Sequence, residues 1–272
     1  MLPRSFIIKG ENIPEKQFNV LTSTCAPIVL TNKESIHLVP EALEMIAPRL
    51  GHLGIMLPYT PLYDLLLSEF DRPIVATSGN ITNSPIVFTN QKAADELFEV
   101  ADALLLNDRE IVIPQDDSVL KFSPFEEKRI VIRRSRGMAP TYLNPGLPVP
   151  EKSILAFGAQ LKSTFAYTHQ TNMYVSQYLG DLENFDTLQS HEHAIRHHFS
   201  LFDLTPEIIL TDKHPEYAST VFAHQVSKEK NIPIYAVQHH EAHFAAVLAE
   251  HHLIDKEDPI LGVIWDGTGL GN

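Results

Sequence analysis

A single cysteine, Cys25, in 272 residues leaves no partner for an internal disulfide and no set of thiolates for a cysteine-based zinc knuckle. The reducing cytoplasm is the setting this predicts. Long apolar runs are also missing: none reaches the ~18 residues of a membrane span. Met1-Leu2-Pro3-Arg4 is read as leading into a short strand, SFIIK (5–9), and not as a signal peptide. Positive charge is scarce. Against 34 Asp and Glu there are 21 Lys and Arg, a net charge of -13, which argues against nucleic acid as the main partner because phosphate binding needs clustered bases.

The remainder, 44% hydrophobic and 20% charged, is that of a globular chain with room for one large or two ordinary domains. Histidine is unevenly spread. Twelve of the 14 lie after residue 152, so the two halves are expected to do different work. Four prolines in APTYLNPGLPVPEKS (139–153) mark the division, giving expected domains of 1–143 and 152–272.

In the first half, strands are predicted at 27–31, 73–76, 103–106, 119–122 and 129–132, with helices at 62–70 and 91–100. The run Pro73–Ala76 reads as a buried strand whose polar exit is Thr77, Ser78, Gly79 and Asn80. Those residues suit a simple turn as well as a phosphate or carboxamide site. Strand 129–132 leads into Arg133, Arg134, Ser135, Arg136 and Gly137. Three arginines in four positions fit bidentate contacts with phosphate oxygens, and equally a solvated charge run.

The second half opens with strands at 154–157, 165–167 and 173–176, joined by a Gly158 turn that carries Gln160 and Lys162. A strand, a small turn with a lysine and a second strand is the arrangement that wraps nucleotide phosphates in actin-like folds. A generic hairpin has the same pattern. Helix 186–202 carries an apolar stripe of Leu188, Ile195, Phe199 and Phe202, which sets His191 and His198 beside the buried face and His193 and His197 on the wet one. Strand 208–210, helix 217–230 and strand 234–237 then alternate, predicting a largely parallel sheet.

His239 and His243 stand four apart in an Ala-rich helical segment, so both imidazoles leave one face. Residues 260–265 read as an apolar strand running into Asp266 and the glycines 267, 269 and 271, the way α/β folds present a carboxylate and approachable backbone amides. Two imidazoles and a carboxylate make a mixed site suited to zinc or iron. Against this stands the ordinary surface or core histidine pair. The zincin motif is excluded, because it needs Glu directly after the first histidine and here that position is His240.

Several segments together resemble the HypF family, carbamoyltransferases that mature [NiFe]-hydrogenases. APIVL (26–30), LGIMLPYTPLYDLLL (53–67), TSGN (77–80), DDSVLK (116–121) and RRSRGMAP (133–140) are similar to that family's YrdC-like domain. FGAQLKSTF (157–165), SQYLGDLEN (176–184), HPEYAST (214–220), VQHHEAH (237–243) and DGTG (266–269) are similar to its TsaD-like domain. The fold class so implied is α/β: a partial YrdC-like twisted domain followed by the first lobe of an actin-like, ribonuclease H-like domain.

The resemblance implies an enzyme that uses ATP with Mg²⁺ and carbamoyl phosphate to form carbamoyl adenylate, then passes the carbamoyl group to the C-terminal cysteine of HypE. Thr77, Ser78, Asn80, Ser118, Arg133, Arg134 and Arg136 would line the adenylate site, and Lys162 would face nucleotide phosphates. His239, His243 and Asp266 would hold one divalent metal, zinc or iron. Relative to the family pattern, the acylphosphatase-like module, the CxxC pairs, the start of the YrdC-like domain and the second actin-like lobe are missing, so little carbamoyl transfer is expected from this chain alone. The competing expectations are the threonylcarbamoyl-adenosine tRNA pathway, which shares both folds, and a non-catalytic partner-binding segment.

Overall fold

The computed structural model describes residues 1–3, 13–81, 84–143, 149–267 and 269–270. The strand expected at 5–9 and Gly271 lie outside the described residues. The chain divides into two compact units, one of Met1–Asn80 and Ile86–Ala139, the other of Pro140 onward together with Ile81–Pro85.

The first unit is built on β1 (Ile28–Asn32), whose alternating Val29 and Thr31 are buried. Around it stand β2 (His52–Ile55), β3 (Val119–Phe122) and β4 (Arg129–Arg133), in the order β2-β1-β3-β4. β1 runs antiparallel to β2 and parallel to β3, while β3 and β4 are antiparallel with a register shift at Val119/Leu120. Helix α1 (Glu15–Leu21) drops Leu21 into a core with Leu2, Val29, Ile36, Ile55 and Leu57. Helix α2 spans Pro40–Ile46. Helix α3 (Pro61–Phe70) starts where Thr60 accepts from the Tyr63 N–H and Pro61 sits at the first turn, and stops at the left-handed Asp71. Helix α4 covers Asn90–Leu97.

Two predicted strands of this unit do not form. Pro73–Ala76 and Ala103–Leu106 have no assigned ladder, and Val75 and Leu105 are exposed. Apolar β-forming composition marks a segment that can pair. It cannot supply the neighbouring strand whose N–H and C=O groups make the ladder.

The second unit holds a six-stranded sheet in the order β10-β9-β6-β7-β8-β5. Its strands are β5 (Thr141–Tyr142), β6 (Ile154–Ala156), β7 (Ala166–His169), β8 (Asn172–Val175), β9 (Ile208–Asp212) and β10 (Ile234–Val237). β5 therefore pairs in this sheet although it precedes residue 143. The expectation of a largely parallel sheet needs correction. β6, β9 and β10 are parallel, but β6-β7, β7-β8 and β8-β5 are antiparallel. The division follows connection length: a two-residue turn at Gln170-Thr171 reverses the chain, whereas a parallel return needs a crossover helix.

Those crossovers are α5 (Phe185–Leu201) and α6 (Ala218–Lys230), and α7 (His239–Glu250) follows β10. Helix α5 buries Thr187, His191, Ala194, Ile195 and His198, one face at helical spacing, against a core that includes Phe157, Phe165, Tyr167, Ile209 and Phe222. Asn184 caps α5 by accepting the Thr187 N–H at 3.1 Å. Asn184→Ala is expected to lower the unfolding free energy by about 1 kcal/mol in a chemical denaturation curve, with the slope unchanged.

The strand expected at 260–265 is also absent. Residues 261–266 alternate between exposed and half-buried, with Leu261, Val263 and Trp265 at 90%, 81% and 96% exposure, and no ladder holds them. Gly262 lies against the Phe244 ring of α7: a Cβ there would stand 2.6 Å from ring carbons.

Candidate functional site

The parallel strands β6, β9 and β10 end on one side of the sheet, and the loops that leave those ends enclose a cleft of about 350 Å³. Phe157 and Gly158 follow β6, Thr211 and Asp212 close β9, Val237 closes β10, and His239 and His243 project from α7. The carboxyl ends of parallel strands are where open α/β sheets place ligands, because the diverging loops leave a crevice. Close packing shapes it, since a Cβ on Gly158 would lie 2.1 Å from the Thr164 carbonyl oxygen.

Helix α7 is capped by Gln238, whose side-chain oxygen accepts the Glu241 N–H at 3.0 Å, so His239 stands in the first turn and His243 one turn on. Their Nε2 atoms are 3.2 Å apart. Asp266 Oδ2 lies 3.1 Å from His239 Nε2, and one ligand atom from each of the three residues falls within 4.8 Å of the others. The sequence-predicted trio is therefore brought together, although the strand expected to deliver Asp266 does not form.

The chemistry of these donors fits a divalent cation. Two imidazole nitrogens bound tetrahedrally at roughly 2.1 Å would sit about 3.4 Å apart, close to the observed separation. Two facing imidazole lone pairs and a carboxylate oxygen repel one another unless a proton or a cation lies among them. The surroundings are negative: Asp212 and Asp266 both contact His239.

Several residues at this site were not singled out from sequence as site residues. Asp212 Oδ2 accepts from His239 Nδ1 at 2.6 Å, on the far side of the ring from Asp266. The signal for it existed, since Ile208–Leu210 is an apolar strand ending in a carboxylate, the same pattern used to single out Asp266. His240 has its Nδ1 2.8 Å from the Gln238 amide nitrogen and its Nε2 3.9 Å from Asp266 Oδ2. Burial first, then the Asp212 and Asp266 carboxylates, raise the Tyr217 phenol above its usual range, and its ring stacks on His214 at 4.2 Å. At Gly269 a Cβ would meet Asp266 Oδ2 at 2.5 Å and His239 at 2.7 Å, so only glycine leaves the cluster its room. The Gly267 N–H bonds the Oδ1 of Asp266 at 2.6 Å, fixing that carboxylate.

Lys162 sits at the tip of the loop after β6 with a left-handed φ of 51°, exposed, its N–H donated to Asp181 Oδ1 at 2.7 Å. The loop is pinned by the pair Ser163 N–H to Gly180 O and Leu179 N–H to Ser163 O.

In the first unit the predicted residues fall into two local networks. Thr77 and Ser78 are exposed, and Ser78 Oγ hydrogen-bonds Asn80 Oδ1. Around the arginines the side chains are tied inward. Ser118 is fully buried, donating from Oγ to Arg136 O at 2.9 Å and accepting the Ser135 N–H at 2.9 Å. Arg136 bonds Asp117 Oδ1 and the Ala26 carbonyl, both at 2.7 Å, and lies 3.5 Å over the Tyr59 ring. Arg133 Nε donates to the Asp117 carbonyl at 2.8 Å. Burial pushes the Tyr59 phenol up to about 12, Asp117 adding to the effect, and lowers Arg134 from its usual value.

A three-strand meander followed by two helix-crossed parallel strands, with a His-His-Asp cluster at the strand ends, defines the second unit as an actin-like, ribonuclease H-like domain. Residues 149–250 match the HypF Kae1-like domain family, and residues 6–135 match the Sua5/YciO/YrdC family, described as telomere recombination. Over nearly its whole length the chain is similar to the HypF carbamoyltransferases. It is 43% identical over 256 residues to the carbamoyltransferase HypF of Synechocystis sp., covering 94% of this chain and 32% of that one. To the probable carbamoyltransferase HypF of Methanocaldococcus jannaschii it is 33% identical, covering 94% and 32%. Full-length HypF solved in a phosphate- and nucleotide-bound form superposes with a TM-score of 0.85 at 37% identity, over 100% of this chain and 41% of that one. HypF of T. kodakarensis gives 0.80 at 34%, over 92% and 32%. The chain spans about a third of the length of the curated relatives it matches.

Proposed function

We propose that this chain is the part of a [NiFe]-hydrogenase-maturation carbamoyltransferase that handles the activated carbamoyl group. In this reading ATP with Mg²⁺ and carbamoyl phosphate yield carbamoyl adenylate, and the carbamoyl group passes to the C-terminal cysteine of HypE. The observation that carries the reading is the His239, His243 and Asp266 cluster at the strand ends of the actin-like domain. Zinc or iron held there would supply Lewis-acid polarisation of a carbamoyl or phosphoryl oxygen. In the first domain, Thr77, Ser78, Asn80 and Arg134 offer donors to the adenylate, while Ser118, Arg133 and Arg136 hold the shape behind them. Lys162, on its pinned loop, faces nucleotide phosphates in the second domain. The nucleotide bound in a solved relative supports ATP as the cofactor. No described helix is long and apolar enough to cross a membrane, and the cytoplasm is the proposed setting because it keeps the HypE thiol reduced.

The proposed domains are a YrdC-like one to residue 143 and a Kae1-like one from 152. The tRNA-modifying alternative is disfavoured by the net charge of -13 and by the HypF Kae1-like match. The test measures ATP binding and pyrophosphate release with carbamoyl phosphate present. Pyrophosphate release that Arg134→Ala reduces at least ~10-fold, the loss of one charge-assisted contact, supports the reading. ATP binding without release makes the chain a partner-binding segment, and no ATP binding overturns the activation step.

A further inference from the structure

The proposed ligand set leaves one nearly buried carboxylate unused. Asp212 closes β9 with its side chain 6% exposed, and both of its oxygens are engaged. Oδ1 accepts the His214 backbone N–H at 2.8 Å, and Oδ2 accepts from His239 Nδ1 at 2.6 Å. The His239 ring stands between Asp212 and the cluster, since the opposite ring nitrogen, Nε2, is the one that approaches Asp266 and His243. Asp212 is therefore not a fourth ligand to the same ion.

A neutral imidazole carries one N–H and one lone pair, and a carboxylate can only accept. Whichever ring nitrogen faces Asp212 must hold the proton, and the other must present the lone pair. We propose that Asp212 is the positioning residue of the metal site, holding His239 in the Nδ1–H tautomer and fixing its ring so that Nε2 is the metal-binding atom. Partners of this kind raise the basicity of a ligating histidine and set its orientation. The metal-binding part of this inference rests on the cation reading above, whereas the tautomer belongs to the metal-free chain.

The distinguishing variant is Asp212→Asn, which keeps the shape and removes one acceptor. An asparagine has a single side-chain oxygen for two N–H donors. The His214 N–H belongs to the backbone and cannot turn away, so the amide oxygen stays on it and the amide NH₂ turns to His239. That arrangement demands a lone pair on Nδ1 and drives the proton to Nε2, the atom that should bind metal. The experiment records the His239 tautomer by ¹⁵N NMR in the metal-free full chain at pH 8, and the Zn²⁺ affinity by chelator competition. The expected result is Nδ1–H in the parent, Nε2–H in Asp212→Asn, and Zn²⁺ binding weakened on the order of 10-fold.

An Nδ1–H tautomer retained in the variant would overturn the proposal, as would a switched tautomer with undiminished Zn²⁺ affinity. A parent chain that binds Zn²⁺ no better than His243→Ala would sink the cation reading separately, with the tautomer still reporting whether Asp212 sets the ring. An unfolded chain would also leave the His239 proton mainly on Nε2, the tautomer a free neutral imidazole prefers, so the variant tautomer counts only when circular dichroism shows the variant folded like the parent.

Discussion

His243→Ala is expected to weaken Zn²⁺ binding by at least ~100-fold while leaving the fold intact. Structural zinc sites with four protein ligands gain on the order of 12 kcal/mol in all, so one ligand is worth roughly 3 kcal/mol. His243 is the cleanest of the three ligands to remove. Its side chain is exposed on α7, and its recorded contacts are with His239: Nε2 to Nε2 at 3.2 Å and ring centroids 4.8 Å apart. Removing His239, by contrast, would leave Oδ2 of the nearly buried Asp212 without its N–H donor. The control lies in the same chain. His193 and His197 share the i,i+4 spacing on α5 but stack with centroids 6.4 Å apart, and neither belongs to a cluster with a carboxylate among the described residues. His193→Ala should leave Zn²⁺ affinity unchanged. Chelator competition on the two variants decides the matter, and equal affinities would show that the His239, His243 and Asp266 cluster is not where the metal binds.

Acid should destabilise the second unit through His191, at a cost of about 3 kcal/mol across the window from pH 6.5 to 4. The side chain is fully buried among Phe157, Phe165 and Phe222, with ring centroids 6.2 to 6.3 Å away, and neither ring nitrogen has a hydrogen-bond partner among the described residues. An imidazolium there would find no acceptor among the described residues, and burial pushes the His191 pKa down to about 4. The unfolded chain takes up the proton near the ordinary value of 6.5. Above that value neither state is charged at this residue and stability is complete. As pH falls from 6.5 toward 4 the unfolded state gains protons that the folded state refuses, and stability declines; below 4 both are protonated and the loss stops growing. His198, buried beside Phe165 and Tyr167, is lowered for the same reason and adds to the slope. His191→Leu removes two unsatisfied nitrogens at similar volume, so it should fold at least as well at pH 7. Urea unfolding at pH 7.5 and 5 reads the effect. A variant whose stability falls with acid as steeply as the parent's would show that His191 is not the group responsible.

Local chemistry made much of the chain legible in advance. The hairpin strands, α5 with His191 and His198 turned inward, and the crossovers α5 and α6 all follow from periodicity and from turn and cap residues, which act over a few positions. The same holds for the shared face of His239 and His243, because four residues is nearly one helical turn. The short helix α2 escaped notice, and NIPEKQF (12–18), which runs into α1, reads only as a loop or helix start, because seven residues carry too few apolar repeats to show a period. Pro73–Ala76, Ala103–Leu106 and Ile260–Trp265 have strand composition, yet a ladder is a property of two segments and no single run encodes its partner.

The site divides in the same way. Sequence by itself determined which side chains could bind an ion and which helix face two of them share, since both depend on residues a turn apart. Only the tertiary structure decided that Asp266 arrives without a strand, that Arg136 and Ser118 are tied into the interior, and that the Asp212 carboxylate, 27 residues before His239, stands against its Nδ1. Those outcomes depend on how separate segments meet in space, where sheet order and side-chain packing, not spacing along the chain, set the distances.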